Sequence, residues 1–224
     1  MKKILLPLVA ILFSLSVFGQ DYFVGPKLGL AGTSFFTNAP ENIKPYIGGG
    51  FDVGGFFRVH NRYFFFQPEL EYRFGSGKLY SNSVNSTQTI SYSLISVPLQ
   101  LGLKIPLDKK NTEFFRAYGG GSVGALITGV NQKSPNVQTP NNNVGDYFSG
   151  HMEPFAWSWL IGAGIDLGSF MIDLKYDMIW NNIATIGTNQ NTQLRANTLI
   201  LAFSYRFKLD LGTAHAGHNT KKSK

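Results

Sequence analysis

Glu69 and Glu71 stand two residues apart in Phe66-Gln67-Pro68-Glu69-Leu70-Glu71-Tyr72. On a strand that spacing puts both carboxylates on one face. A general acid and base pair needs such an arrangement, and so do salt bridges to bases such as Arg73 and Arg116. The string Ser149-x-His151-x-Glu153 holds the groups of nucleophilic catalysis, a hydroxyl, an imidazole and a carboxylate. In-line neighbours do not form a triad by themselves, because the fold must bring the three groups within hydrogen-bond reach. His215 and His218, three apart, would share a metal on a helix, but the residues around them carry no helical pattern. His60 reads as part of a short turn, 60–62. The chain has no cysteine, which removes disulfides, thiolate zinc sites, cysteine nucleophiles and a lipid-anchored N-terminal Cys. Gly48-Gly49-Gly50 and Gly119-Gly120-Gly121 cradle no phosphate; they fall inside strand patterns, where glycine permits curvature. The reading is therefore no catalytic set, no metal and no cofactor.

The elements that must position these residues are strands. In 63–74 the even positions are Phe64, Phe66, Pro68, Leu70, Tyr72 and Phe74, and the odd ones include Gln67, Glu69, Glu71 and Arg73. The same period of two runs through 46–59, 91–105, 114–128, 155–167, 170–180 and 197–209, and more weakly through 22–31. It is the signature of a two-faced strand. The acids Asp52, Glu69, Glu71, Asp166, Asp173 and Asp177 all fall on the less apolar parity. So do the bases Lys27, Arg58, Arg73, Lys104, Arg116, Lys175, Arg206 and Lys208.

A soluble sandwich would bury the apolar face, whereas a membrane barrel turns it to lipid and keeps the polar face for its lumen. Three features select the barrel. The segments are about 10 residues or longer, the length a tilted strand needs to cross a bilayer. Aromatics gather near strand ends, as at Tyr72, Phe74, Trp157, Trp180, Tyr205 and Phe207, where interfacial girdles form. Connections alternate, short at 60–62 and 168–169 and middling at 106–113, long at 32–45, 75–90, 129–154 and 181–196. Outer-membrane barrels have short periplasmic turns and longer outer loops. The expected fold is all-β, an eight-stranded antiparallel transmembrane barrel with up-and-down meander topology.

Composition agrees. The 224 residues carry 15% charged and 43% hydrophobic side chains, with 25 Gly and 19 Phe, too aromatic for disorder and too poorly charged for a coiled coil. Lys2 and Lys3, the apolar run 4–18 and Gly19 form a signal-peptide layout. The formal charge is +7, but those two lysines and Lys221, Lys222 and Lys224 supply much of it. No basic stripe with interleaved aromatics remains, so nucleic acid is not expected as a partner. The expected organisation is a signal peptide 1–19, a barrel 20–209 and a disordered tail 210–224, with both termini periplasmic. The polar long loops, with Asn141-Asn142-Asn143 and Asn189-Gln190-Asn191, read as solvated connections.

In its motifs the chain resembles the PorT-like outer-membrane β-barrel family of Bacteroidota, among the OmpA/OmpX-like small barrels. The matching pieces are Phe66 to Tyr72 as written above, Ile95-Ser96-Val97-Pro98-Leu99, Tyr118-Gly119-Gly120-Gly121, Gly162-Ala163-Gly164-Ile165 and the closing Ser204-Tyr205-Arg206-Phe207. The resemblance covers 22–209 and implies the fold and the outer membrane, with one branch tied to type IX secretion. Family members end near the last strand's final aromatic, and this chain continues past it.

Eight strands enclose a space that side chains fill, and unpaired buried charge is costly. The expected site is thus a structural lumen network of Asp52, Arg58, Glu69, Glu71, Arg73, Lys104, Arg116, Asp166, Asp173, Lys175, Asp177 and Arg206. The expected partners are outer-membrane lipid, the barrel assembly machinery and a protein or glycan at the outer loops, with the barrel a monomer. The expected role is non-enzymatic, in envelope structure or recognition, or as an accessory to type IX secretion. The alternatives are a lipid A-modifying enzyme built around His151 and a narrow passage for small solutes.

Overall fold

Alternating apolar and polar side chains leave a strand with two unlike faces, and closing eight such strands on themselves satisfies every edge. The computed structural model shows that closure; it describes residues 21–37, 43–81, 86–109, 112–133, 151–186 and 192–209. The strands are β1 (Asp21–Thr37), β2 (Ile43–His60), β3 (Phe64–Ser81), β4 (Ser86–Pro106), β5 (Glu113–Lys133), β6 (His151–Met152), β7 (Phe155–Leu167), β8 (Phe170–Ile179), β9 (Ala184–Ile186), β10 (Thr192–Tyr205) and β11 (Phe207–Leu209). Sequential neighbours pair antiparallel from β1 to β5, then β5 with β7, β7 with β8 and β8 with β10. β1 closes the barrel against β10, from Lys27 opposite Ser204 to Thr37 opposite Leu194, and against β11 below it. The short β6 and β9 form an appendage on β10. No helix occurs among the described residues.

The apolar parity faces outward, as the alternation predicts. Leu28, Leu30, Leu70, Leu99, Leu101, Leu103, Ile161, Leu174, Leu199 and Phe203 are all exposed there. Aromatics border this belt: Phe170 packs edge-on to Tyr205 at 5.1 Å and Tyr205 lies 4.8 Å from Phe207 at the end that holds the start of β1. Trp159 and Trp180 meet at 6.1 Å toward the opposite end.

The structure corrects the long loops. β1, β3, β4 and β5 run on well past their apolar stretches, so that most of 32–45 and 75–90 is paired strand. The reason lies on the outward face of β3, which changes from Leu70, Tyr72 and Phe74 to Ser76 and Lys78. Above the belt the outward side chains are polar, while inside Gly75 and Gly77 leave room for the buried Tyr92 and Phe35, so the apolar-out alternation vanishes and the backbone ladder continues without it. The segments 1–19 and 210–224, together with Asn141 to Asn143, Asn189 to Asn191, Ser149, His215 and His218, lie outside the described residues.

Short turns close the terminal rim, the end where β1 begins and β11 ends. Asn61 Oδ1 accepts from the backbone of Tyr63 at 2.9 Å and of Phe64 at 2.8 Å. Asp108 Oδ1 accepts from Thr112 at 2.8 Å and Glu113 at 2.9 Å. The first turn is therefore Asn61 to Tyr63, and His60 belongs to β2 instead. Gly168, in the turn between β7 and β8, has φ of 59°, the left-handed region that glycine enters without penalty. A Cβ there would meet nothing within 4 Å, so strain alone decides the effect of substitution. Gly168→Val will destabilise the barrel by about 1 to 2 kcal/mol, and Gly168→Asn by less. Denaturant midpoints of the refolded variants measure both.

Candidate functional site: the charged lumen

The inward parity delivers the charges to one interior, where burial forces them to pair. Near the terminal rim Asp166 on β7 receives Arg116 Nε at 2.6 Å, Arg58 Nη1 at 3.0 Å and Arg206 Nη1 at 3.1 Å. Arg116 Nη2 also reaches Asp173 at 2.9 Å. The Phe65 ring packs against both guanidiniums, 5.0 Å from Arg58 and 5.7 Å from Arg116. Arg206 Nε donates to the Gly168 carbonyl at 2.7 Å, which ties the end of the last strand to the β7–β8 turn.

Deeper in the lumen, Lys27 Nζ bonds Glu69 Oε2 at 2.6 Å, bonds Glu71 Oε1, and lies 3.8 Å from Asp52. Lys175 Nζ reaches the same Glu71 oxygen at 2.5 Å. Arg73 gathers three acids from three directions: Asp52 at 3.1 Å, Asp177 at 2.7 Å and Glu71 at 3.2 Å. Gln67 joins the two clusters, accepting from Arg58 Nε and donating to Glu69 Oε1. Gly54 stands between Lys27 and Glu71 in the hydrogen-bonded row. A Cβ there would come within 2.2 Å of the Leu70 carbonyl, so only glycine fits.

Toward the loop rim the lumen turns apolar. Phe35, Ile90, Tyr92, Leu94, Ala156, Ile179, Ile183, Leu194 and Ala196 pack as one buried cluster, and Tyr92 and Thr33 each contact the Thr198 hydroxyl at 3.2 Å.

All twelve residues assigned to the lumen from the sequence point inward; Arg58, Arg73, Arg116, Asp52 and Asp166 are fully buried, and Arg206 is half-buried at the rim. Lys104 has no carboxylate partner among the described residues. Its ammonium meets His60 Nδ1 and the Phe114 ring, 4.3 Å away. Lys208 shares the parity but leaves the lumen, pairing with Asp21 at 2.9 Å on the exposed rim. Reasoning from charge alone missed Gln67, Gln100 and His60, and left Lys27 out of the network. Parity already set Gln67 beside Glu69 and Glu71, and it could have found His60, which continues Asp52 and Arg58.

The arrangement suits a filled core better than acid–base work. Both oxygens of Glu69 and of Glu71 are engaged by Lys27, Lys175, Arg73 or Gln67, whereas a general base needs an oxygen that can take a proton from substrate. Of the Ser-x-His-x-Glu string, the backbone of His151 pairs with Thr185, and Glu153 is exposed.

The family model for the outer membrane protein beta-barrel domain matches residues 18–184. No curated protein matches the sequence. Among solved structures, the chain is similar to the outer membrane protein OprG from Pseudomonas aeruginosa, with a TM-score of 0.52 and 11% identity over 84% of this chain and 96% of that one. It is also similar to Neisserial surface protein A, NspA, with a TM-score of 0.44 and 11% identity over 85% of this chain and 100% of that one. At 11% identity the likeness to OprG is one of fold alone. With the family matched over most of its length and the barrel closed around a charged interior, this chain belongs to the outer-membrane β-barrel domain family and is a protein of the outer membrane.

Proposed function

We propose that the protein is a non-enzymatic, monomeric outer-membrane barrel whose lumen is a structural core and whose working surface is the loop rim. The observation that carries this is the lumen itself, filled by interlocked ion pairs and then by the apolar cluster around Phe35, Tyr92 and Ile183. With the interior filled by side chains among the described residues, contact with partners falls to the hairpins that β1, β3, β4 and β5 raise beyond the lipid belt. The signal-peptide layout of 1–19 supports delivery to the periplasm and insertion by the barrel assembly machinery. Strand β1 then starts on the periplasmic side, both termini stay there, and the hairpins face outward. The PorT-like motifs support a role as an accessory to type IX secretion, by recognition of a protein or glycan.

Proximity labelling from the loop rim in native cells tests this. Recovery of secretion components or of one surface partner is the expected outcome. Recovery of lipids and assembly machinery alone, with altered lipid A on deletion, would overturn it in favour of a lipid A-modifying enzyme.

The filled lumen carries a prediction of its own. Reconstituted in planar bilayers, the protein will give no large, stable, open conductance, because eight strands leave room only for side chains. Sustained ohmic channels would show that the ion pairs part.

A further inference from the structure

Positive and negative charges are not spread evenly along the lumen. In the deeper cluster three cations, Lys27, Arg73 and Lys175, face four carboxylates, those of Asp52, Glu69, Glu71 and Asp177. Toward the terminal rim four cations, Arg58, Lys104, Arg116 and Arg206, face two, Asp166 and Asp173. Asp21 does not alter that balance, because it pairs with Lys208 on the exposed rim. Asp166 has both oxygens committed, Oδ1 to Arg116 and Oδ2 to Arg58 and Arg206. Asp173 stands on β8, three strands around the wall from Lys104 on β4. The neighbours of Arg58 on β3 and β4 are amides, Gln67, which it bonds, and Gln100 opposite Gln67. The surplus is buried: Lys104 is 2% exposed and Arg58 0%. Asp166 attracts Lys104 from beyond bonding distance, and Arg58 and Arg206 repel it. Buried charge without a counter-ion is costly.

Buried donors remain at the same end. Arg58 uses Nε on Gln67 and Nη1 on Asp166; Nη2, held inside the lumen by those two bonds, has no partner among the described residues. The Asn61 carbonyl lies 3.1 Å from His60 Nδ1, but Nδ1 also meets the Lys104 ammonium, which can only donate. Nδ1 therefore accepts and the imidazole proton sits on Nε2, which is buried without a partner as well. Arg116 Nη1 is free too, but Asp173 Oδ1 is free beside it, so that pair needs nothing further. The other unpartnered carboxylate oxygens, Asp52 Oδ1 and Asp177 Oδ1, belong to the deeper cluster. Buried polar groups rarely stay unpaired in native proteins. Here unpaired donors coincide with surplus positive charge, so what completes this end of the lumen must accept hydrogen bonds and carry negative charge. Half-buried Arg206 stands at the entrance, 5.0 Å from the Phe23 ring, which stacks on His60.

We propose that the terminal mouth of the lumen binds a phosphate group, with Lys104 and Arg58 Nη2 as its main partners and Arg206 at the entrance. A phosphate dianion offsets the excess of cations, and its several oxygens can meet an ammonium and the free arm of a guanidinium at once. The site is independent of the role proposed for the loop rim.

The test uses the full chain in a maltoside detergent, which contains no phosphate, and isothermal titration with inorganic phosphate against a constant chloride background. Saturable binding is expected. Lys104→Met and Lys104→Gln will each weaken it by about tenfold or more, the loss of a charged hydrogen-bond partner. Neither variant leaves a carboxylate without its cation, and heat-modifiable gel mobility confirms that each is folded. Lys208→Met, which removes a cation of the same rim outside the lumen, will leave the affinity unchanged. Glycerol phosphate and phosphatidic acid in mixed micelles are then set against bound phosphate. Competition by the first supports the site with a soluble phosphate as its ligand, and competition by the second alone supports it with a lipid headgroup. Absence of saturable binding, unchanged affinity in both folded Lys104 variants, or an equal loss in Lys208→Met would each overturn the proposal.

Discussion

Arg73→Met will destabilise the barrel by about 3 to 5 kcal/mol, the cost of removing one partner from a buried ionic cluster. Arg73 is fully buried and serves Asp52, Glu71 and Asp177 at once. Methionine matches the stem but leaves those carboxylates without their cation. Lys27 and Lys175 still hold Glu71, and Lys27 lies 3.8 Å from Asp52. Asp177 has no other ion pair among the described residues. Adding Asp177→Asn to Arg73→Met should therefore recover part of the loss, with a coupling of about 0.5 to 3 kcal/mol. Urea unfolding in vesicles, followed by tryptophan fluorescence, measures both. A loss below about 1 kcal/mol, typical of solvent-exposed pairs, would mean that water reaches the cluster.

Leu101→Arg will cost about 2 to 4 kcal/mol if the side chain lies near the bilayer midplane, since an arginine there must enter hydrocarbon. Leu101 is 61% exposed on the lipid face and flanked by Phe66 on β3 and Gly119 on β5. Ile172→Arg on β8 belongs to the same class. Lys78→Ala, on the outward face of β3 above the belt, will change stability by less than about 0.5 kcal/mol. Reversible unfolding in vesicles gives the three values on one scale. Equal losses at Leu101 and Lys78 would contradict the assignment of faces.

Much of this was legible in the chain because the strand repeat is two. Once Phe64, Phe66, Leu70, Tyr72 and Phe74 share a parity, Gln67, Glu69, Glu71 and Arg73 must share the other. The direction of both sets then follows from the signs of burial in lipid. The rule loses its contrast where the outward face turns from lipid to water and the inward face carries glycine. Ser76 and Lys78 outside, with Gly75 and Gly77 inside, gave no alternation, and a paired hairpin read as a loop. His60 was lost to the neighbouring turn for a related reason: charge and turn residues were weighed, while the parity that carries Asp52 and Arg58 forward to it was not. Gln67 and Gln100 fell on the polar parity but, being uncharged, were not counted into the network, yet Gln67 links the two ionic clusters.

The order of the strands and the lipid and lumen faces are properties of local pattern, and the sequence by itself determined them; which charges are buried was settled by closure, which drew Lys27 in and left Lys208 at the rim. Which acid meets which base is not local. Arg73 finds Asp177 across 104 positions of chain, and Arg58 finds Asp166 across 108. Those meetings depend on the stagger at which β1 closes on β10 and on the reach of each side chain across the interior. The nearness of Pro26, Pro68 and Pro98, on adjacent rows of neighbouring strands, has the same origin. Each proline is visible in its own strand, but their nearness exists only once the registers of neighbouring strands are set. Closure of the sheet sets them, because a one-residue slip anywhere would turn a charged lumen row out into lipid.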